Sequence, residues 1–277
     1  LFGGTDGGDG ISSISPDNIE SVSVLKGGAA SALYGSRSAG GVILITTKSG
    51  DKQRGFGVDV SSFATFEEVN TDIYNYQNQY GQGIFGRKPS TIDEARDNIY
   101  SSWGARLDGS DALQWDGNER PYSNVGNNLE SFYRTGTTFI NTVSISDASD
   151  NMSYRFSASD QSNDDIMPNA GFNRKTFSLN SSAILADKLT STVSARYTVE
   201  KVNNRPRVSD SPGNANFTVA NLPPNIDERF MQPGANEDLT ERTISSNVFT
   251  QNPYFAAFNF RNEDVKTRLI ASTSLQY

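Results

Sequence analysis

The chain has 277 residues, a formal charge of −8, and neither Cys nor His. The two absences exclude disulfides and thiolate metal sites and remove the usual general base and the commonest metal ligand, while the acidic balance argues against a nucleic-acid partner. No window reaches the roughly eighteen apolar residues of a spanning helix, which leaves a soluble protein or a membrane β-barrel, whose polar lumen-facing residues hide it from hydropathy.

Residues 1–18 are glycine-rich and acidic and read as a flexible loop. Asp6 and Asp9 offer hard oxygens, but the spacing of a calcium-binding EF-hand loop is missing. Ser15-Pro16-Asp17-Asn18 reads as a helix start with Pro at its first position. Ile19, Val22, Val24 and Leu25 then read as a strand, which Gly27-Gly28 breaks. Residues 29–33 are an Ala-rich helical turn, closed by Tyr34-Gly35-Ser36-Arg37. Gly40-Gly41 releases the chain into Val42-Ile43-Leu44-Ile45-Thr46-Thr47, a β-branched run of strand type. Gly27-Gly28-Ala29-Ala30-Ser31 lacks the Gly-Lys-Ser/Thr ending of a phosphate loop, so it reads as a tight turn. Such a strand–turn–strand unit has too little apolar surface to stand alone, so something must enclose it.

The residues Ile19-Glu20-Ser21, Val24-Leu25-Lys26-Gly27, Leu33-Tyr34-Gly35-Ser36-Arg37 and Gly40-Gly41-Val42-Ile43 resemble the last part of the plug domain of TonB-dependent outer-membrane transporters. The sub-type is the SusC/RagA-like one of Bacteroidota. Within that resemblance Gly27, Tyr34, Gly35, Arg37 and Gly41 are the plug-motif residues. The implied division is residues 1–50 as the C-terminal part of the plug and residues 51–277 as the N-terminal portion of the barrel. Leu1 is not an initiating Met and no secretory signal is visible, so the chain reads as a fragment of a longer one.

Past a polar linker at 49–54, residues 55–67 alternate. Phe56, Val58, Val60, Ser62, Ala64 and Phe66 fall on one face, and Gly57, Asp59, Ser61, Phe63 and Thr65 on the other. A period of two means a strand with two different surroundings, of a length that suits a membrane crossing of roughly 9–11 residues. A long irregular stretch follows at 68–135, with an amphipathic helix over 92–103 capped by Ser90 or Thr91. Connections this long are uncommon inside compact soluble domains and usually carry function. Tyr76-Gln77-Asn78-Gln79-Tyr80-Gly81-Gln82-Gly83 and Ser102-Trp103-Gly104-Ala105-Arg106-Leu107-Asp108-Gly109 resemble the same family. Tyr76, Tyr80 and Trp103 are candidates for stacking on substrate; the alternative is that the loop's aromatics pack on one another.

Alternation returns over 137–147, 152–160, 173–185 and 188–200, and again in the last dozen residues. The connectors at 147–151 and 186–188 are tight, while those at 161–172 and 201–262 are long. Short turns at one end and long loops at the other are the signature of an outer-membrane barrel. Asn252-Pro253-Tyr254-Phe255, with Asn259, Asn262-Glu263-Asp264 and Arg268, resembles the family's approach to its next strand, although the family usually has Trp where Phe255 stands. The fold class expected is mainly β: a partial transmembrane antiparallel barrel of about six strands with the end of a small α/β plug. Barrels that enclose a plug have about 22 strands.

The resemblance implies TonB-dependent import of oligosaccharides or peptides across the outer membrane. It also implies capture with a SusD-like lipoprotein, release by the TonB complex, contact with outer-membrane lipid, and no cofactor. Arg155, Arg196 and Arg268 each oppose their strand's apolar face and are candidate lumen residues, for substrate or for plug carboxylates. A surface-attached glycan-binding adhesin of β-sandwich architecture explains the composition and the strands, but not the plug-like stretch. A carboxylate-only enzyme needs two acids held about 5–9 Å apart. Glu67-Glu68, Asp164-Asp165 and Glu263-Asp264 instead fall at strand ends or in loops, where solvated charge is the ordinary reading.

Overall fold

The computed structural model describes every residue except 1–3, 6–13, 15, 27, 39, 50–54, 73 and 187. Gly27, the Asp6 and Asp9 stretch and most of the linker at 49–54 therefore lie outside the described residues. A 3-10 turn at Pro16–Asn18 leads into β1 (Ile19–Leu25), α1 (Gly28–Tyr34), a second 3-10 turn at Gly35–Ser38, and β2 (Val42–Thr47). β1 and β2 pair antiparallel, with Leu25 opposite Val42. Gly41 makes this closure possible: its φ is +104°, and a Cβ there would lie 3.0 Å from the Leu25 carbonyl oxygen. Lys48 N donates to Asn18 O at 2.9 Å and ties off the hairpin's open end.

Six strands then form one antiparallel sheet in which every strand lies beside its sequence neighbour. They are β3 (Gly57–Glu67), β4 (Gly136–Ala148), β5 (Met152–Asp164), β6 (Gly171–Ala186), β7 (Leu189–Asn203) and β8 (Glu263–Gln276). The register turns the sequence alternation into two unlike surfaces. One row across all six strands reads Val60, Val143, Ala158, Phe177, Tyr197, Leu269. A parallel row reads Val58, Ile145, Phe156, Leu179, Ala195, Ala271. Between them, on the opposite face, lies the row Asp59, Ser144, Ser157, Ser178, Arg196, Ile270. The apolar face is open: Val60 is 74% exposed, Leu269 68% and Val143 49%. A contiguous apolar surface of this extent marks a membrane or a partner rather than water. The polar face is the covered, inward one, on which the β1–β2 hairpin lies and where Ser144, Ser157 and Ser178 are buried.

The strands run past their apolar stretches. β5 continues to Asp164 and β6 begins at Gly171, so the connection expected at 161–172 shrinks to six residues, 165–170. β7 likewise extends to Asn203. The reason is that cross-strand pairs such as Asp160–Lys175, whose Nζ and Oδ1 lie 2.7 Å apart, carry the ladder beyond the apolar band. There both faces are polar, and the alternation that betrays a strand disappears.

The long connections, 68–135 and 204–262, both sit at the end of the sheet opposite the tight turns. They are not irregular excursions, because together they build a core. Ile99, Trp115, Leu129 and Phe132 from the first pack with Val219, Ile226, Met231, Ile244 and Tyr254 from the second, and with Met167 and Ala170 from the 165–170 connection. Short helices supply the faces: α2 (Ile92–Asp97), α3 (Asn128–Phe132), α4 (Ala215–Asn221) and α5 (Pro253–Asn259). α2 begins as expected, with Thr91 Oγ1 accepting from Glu94 N at 3.1 Å and the Glu94 carboxylate accepting from Ser90 N at 2.8 Å. It ends at Asp97 rather than near 103, because Ser101 and Trp103 lend backbone carbonyls to Gly83 and Gly86 instead.

Candidate functional site

Two surfaces carry the candidate residues: the inward wall of the sheet and the cap of packed loops at its end. Polar contacts join the hairpin of β1 and β2 to the wall. Ser157 Oγ donates to Asn18 Oδ1 at 2.9 Å, and Asn180 Nδ2 donates to Lys48 O at 3.0 Å. Small hydroxyl side chains suit this wall because they let another backbone approach closely and still offer a hydrogen bond. Of the plug-motif residues, Tyr34 is exposed, Gly35 takes φ +69°, and Arg37 lies in the 3-10 turn Gly35–Ser38.

Arg155, Arg196 and Arg268 all stand on inward positions. Arg155 is held by the barrel itself, with Nη1 3.0 Å from Asp59 Oδ2 and Nη2 donating to Ser144 Oγ at 2.7 Å. Arg196 is half-buried, and its buried Nε has no hydrogen-bond partner among the described residues. The strongest ionic feature of the wall was not singled out from sequence. Arg174 and Glu200, directly opposite in the β6–β7 register, form a buried pair, with Arg205 3.8 Å from the same carboxylate.

In the cap, the two loop motifs turn out to be one structural unit. Gly81 N donates to Ala105 O at 3.1 Å, Gly104 N to Gly81 O at 3.0 Å, and Leu107 N to Gln79 O at 2.9 Å. This pairing brings Tyr80 and Trp103 to 6.5 Å between ring centroids, both exposed. Tyr76 belongs to a separate pair, stacked on Tyr74 at 5.4 Å. Trp115, Tyr122 and Tyr133 pack inward instead. Gly104 permits the pairing, since a Cβ there would overlap the Gln82 carbonyl oxygen and the Tyr122 hydroxyl, which themselves hydrogen-bond at 2.7 Å. Gly104→Ala is expected to destabilise the cap by about 1–3 kcal/mol and to loosen the Tyr80–Trp103 pair. Faster limited proteolysis within 68–135 would register this; an unchanged cleavage rate would contradict it.

Buried amides lock one loop to the other. Gln82 N donates to Asn225 Oδ1 at 2.6 Å, and Asn128 Nδ2 donates to Ile226 O at 2.8 Å. Beneath them the Glu228 carboxyl is fully buried, with Oε1 3.4 Å from the Tyr254 hydroxyl and Oε2 unpartnered among the described residues. Burial pushes its pKa above the usual 4.5, and the neighbouring Asp227 charge adds to the rise. Above pH 4.5 the folded cap therefore holds a proton that the unfolded chain has released. Its stability is full below that pH and falls as pH rises through the folded-state value. Glu241, also raised by burial, acts in the same direction. Glu228→Gln is expected to flatten this fall and to stabilise the cap at neutral pH. Thermal unfolding of both forms from mildly acidic to neutral pH checks it; parallel curves would reject it.

A small hairpin bonded to the polar inner face of a sheet whose outer face is apolar, under a cap of long loops, defines the class: a plug-bearing transmembrane β-barrel. Residues 1–42 match the TonB-dependent receptor plug domain. The TonB-dependent receptor SusC of Bacteroides thetaiotaomicron is 27% identical over 207 residues, covering 73% of this chain and 18% of that receptor. The TonB-dependent receptor P39 of Formosa agariphila is 60% identical over 40 residues, 14% of this chain and 4% of that receptor. Among solved structures, the RagAB peptide importer in its open-open state aligns with TM-score 0.60 at 19% identity, covering 96% of this chain and 31% of that one. The chain is thus similar to the SusC/RagA-like TonB-dependent receptors, and it spans less than a fifth of the length of the curated relatives it matches.

Proposed function

We propose that this chain is part of an outer-membrane importer of oligosaccharide or peptide nutrients. In this reading residues 1–50 end the plug and residues 51–277 begin the barrel. Substrate is captured under a SusD-like lipoprotein, and TonB displaces the plug to release it inward. No bond of the substrate is made or broken. Tyr76, Tyr80 and Trp103 present aromatic faces at the cap, and Arg155, Arg196 and Arg268 line the path below. Arg196 is the wall cation most open to a substrate anion or a plug carboxylate, since no ion-pair partner meets it among the described residues.

The observation that supports this reading is the plug hairpin on the wall, held by Ser157 to Asn18 and Asn180 to Lys48. Hydrogen bonds of this kind, each worth about 0.5–1.5 kcal/mol net, can be broken one after another as a plug is pulled. Deleting the gene in the source bacterium should abolish uptake of one nutrient pool, and the full-length receptor should restore it and co-purify with a lipoprotein from detergent-extracted outer membrane. A protein recovered without detergent, with no uptake defect on deletion, would reject the importer.

A further inference from the structure

We infer that the cleft between the two cap loops holds an uncharged sugar unit, so that the cargo is a neutral oligosaccharide. The inference rests on the importer reading and names its substrate class. The cleft, about 330 Å³, opens between residues 74–78 and the segments 124–129 and 219–224. None of the fifteen residues lining it is Asp, Glu, Lys or Arg. Other clefts among the described residues differ: one of about 660 Å³ is lined by Arg134, Asp164, Lys201, Arg261 and Glu263, and one of about 340 Å³ includes Asp160 and Lys175.

What lines the cleft instead suits a sugar. Tyr74 and Tyr76 stack on each other with their planes 19° apart, and both are about half exposed. The pair is a rigid, flat surface that is apolar on its faces and polar at its hydroxyls, as the C–H face of a pyranose requires. The amides divide into two sets. Gln77 is occupied in holding the loop, donating to Tyr80 O at 2.7 Å and accepting from Tyr80 N at 2.9 Å. The Asn75 and Asn78 side chains are exposed and make no hydrogen bond among the described residues. Each offers a donor and an acceptor, the complement of a sugar hydroxyl. A peptide would ask for other chemistry, namely a free strand edge for its backbone or charges for its termini. The cleft has neither: its lining lies outside every strand. Its volume is at the low end of the roughly 300–1,000 Å³ of small-ligand sites, enough for one or two rings of a longer chain.

The test uses the full-length receptor in detergent on an array of neutral oligosaccharides (glucans, xylans, mannans, galactans), anionic ones (oligogalacturonates, sulfated galactans) and a peptide library. The expected result is retention of a neutral oligosaccharide. Tyr74→Ala/Tyr76→Ala should weaken it by roughly tenfold or more. Asn75→Asp/Asn78→Asp, at exposed positions that leave the fold alone, should do the same, and Lys201→Ala in the charged cleft should not. A neutral ligand indifferent to both double variants overturns the site. Preference for an anionic sugar or a peptide, or no neutral ligand in the array, overturns the substrate class. Those outcomes leave the importer standing if deletion still abolishes uptake; loss of that uptake defect alone would bring down the importer as well.

Discussion

Replacing Glu200 by Gln is expected to cost the barrel about 3–5 kcal/mol, the usual penalty for stranding one member of a buried ion pair. Glu200 on β7 and Arg174 on β6 are each 7% exposed. Arg174 Nε donates to Glu200 Oε2 at 2.7 Å, and Nη2 reaches the same oxygen. Nη1 leans on Gln161 Oε1 at 3.3 Å, and the guanidinium sits 5.0 Å from the centre of the Phe172 ring. Without the carboxylate charge, Arg174 loses its buried counter-ion on β7, and Arg205 stands on the other side of the same group. Asp160→Asn is the control. Its pair with Lys175 is as short, 2.7 Å, but the side chains are 56% and 64% exposed, so its loss should cost only about 0–1 kcal/mol. Urea titration of the full receptor, followed by its heat-modifiable gel shift, reads both. Arg174→Met/Glu200→Leu should recover much of the loss, because removing both charges also removes their desolvation cost. A Glu200→Gln form as stable as Asp160→Asn would show that water reaches this part of the wall.

The Arg174–Glu200 pair marks where sequence reading stops. Both residues fall on the polar side of their strands' alternation, Arg174 in step with Thr176 and Ser178, and Glu200 opposite Val199. Counting from the turn pair Ala186–Leu189 would set Arg174 opposite Lys201, and a register shift between Leu189 and Thr190 brings it opposite Glu200 instead. The polarity of both residues is therefore visible in the sequence, but their pairing is not. Strand interiors were legible because lipid and lumen impose opposite polarity on successive residues; strand ends were not, because above the membrane band both faces meet water. The cap was least legible. Gln82 and Asn225 lie 143 residues apart, and no local pattern announces that one amide will accept from the other's backbone. The paired glycine motifs were visible as motifs, but their joining into one unit depends on contacts such as Tyr122 to Gln82 that only the folded chain supplies.

Val193→Arg on β7 is expected to cost about 2–4 kcal/mol in a bilayer, the range for an arginine on a barrel's lipid face near the midplane. Val193 stands near the middle of the outward run from Leu189 to Val199 on that strand. Its neighbour Thr192 points inward and is exposed, so Thr192→Arg should lie within about 0.5 kcal/mol of the parent, as ordinary surface substitutions do. One residue's displacement along the chain should thus separate a severe lesion from a mild one, because the period of two sends them to different solvents. The comparison also discriminates against a water-facing sheet, such as that of a β-sandwich adhesin. There Val193, 38% exposed, would be a surface residue, and both arginines would be tolerated alike. Folding the full receptor into lipid vesicles and titrating with urea measures the difference directly. Equal midpoints for the two variants would mean that the rows through Val60 and Val58 face water or a protein partner, and the transmembrane reading would fall with them. A gap of the expected size would fix which face of every strand meets lipid, since the register carries that orientation from β7 to the other five strands.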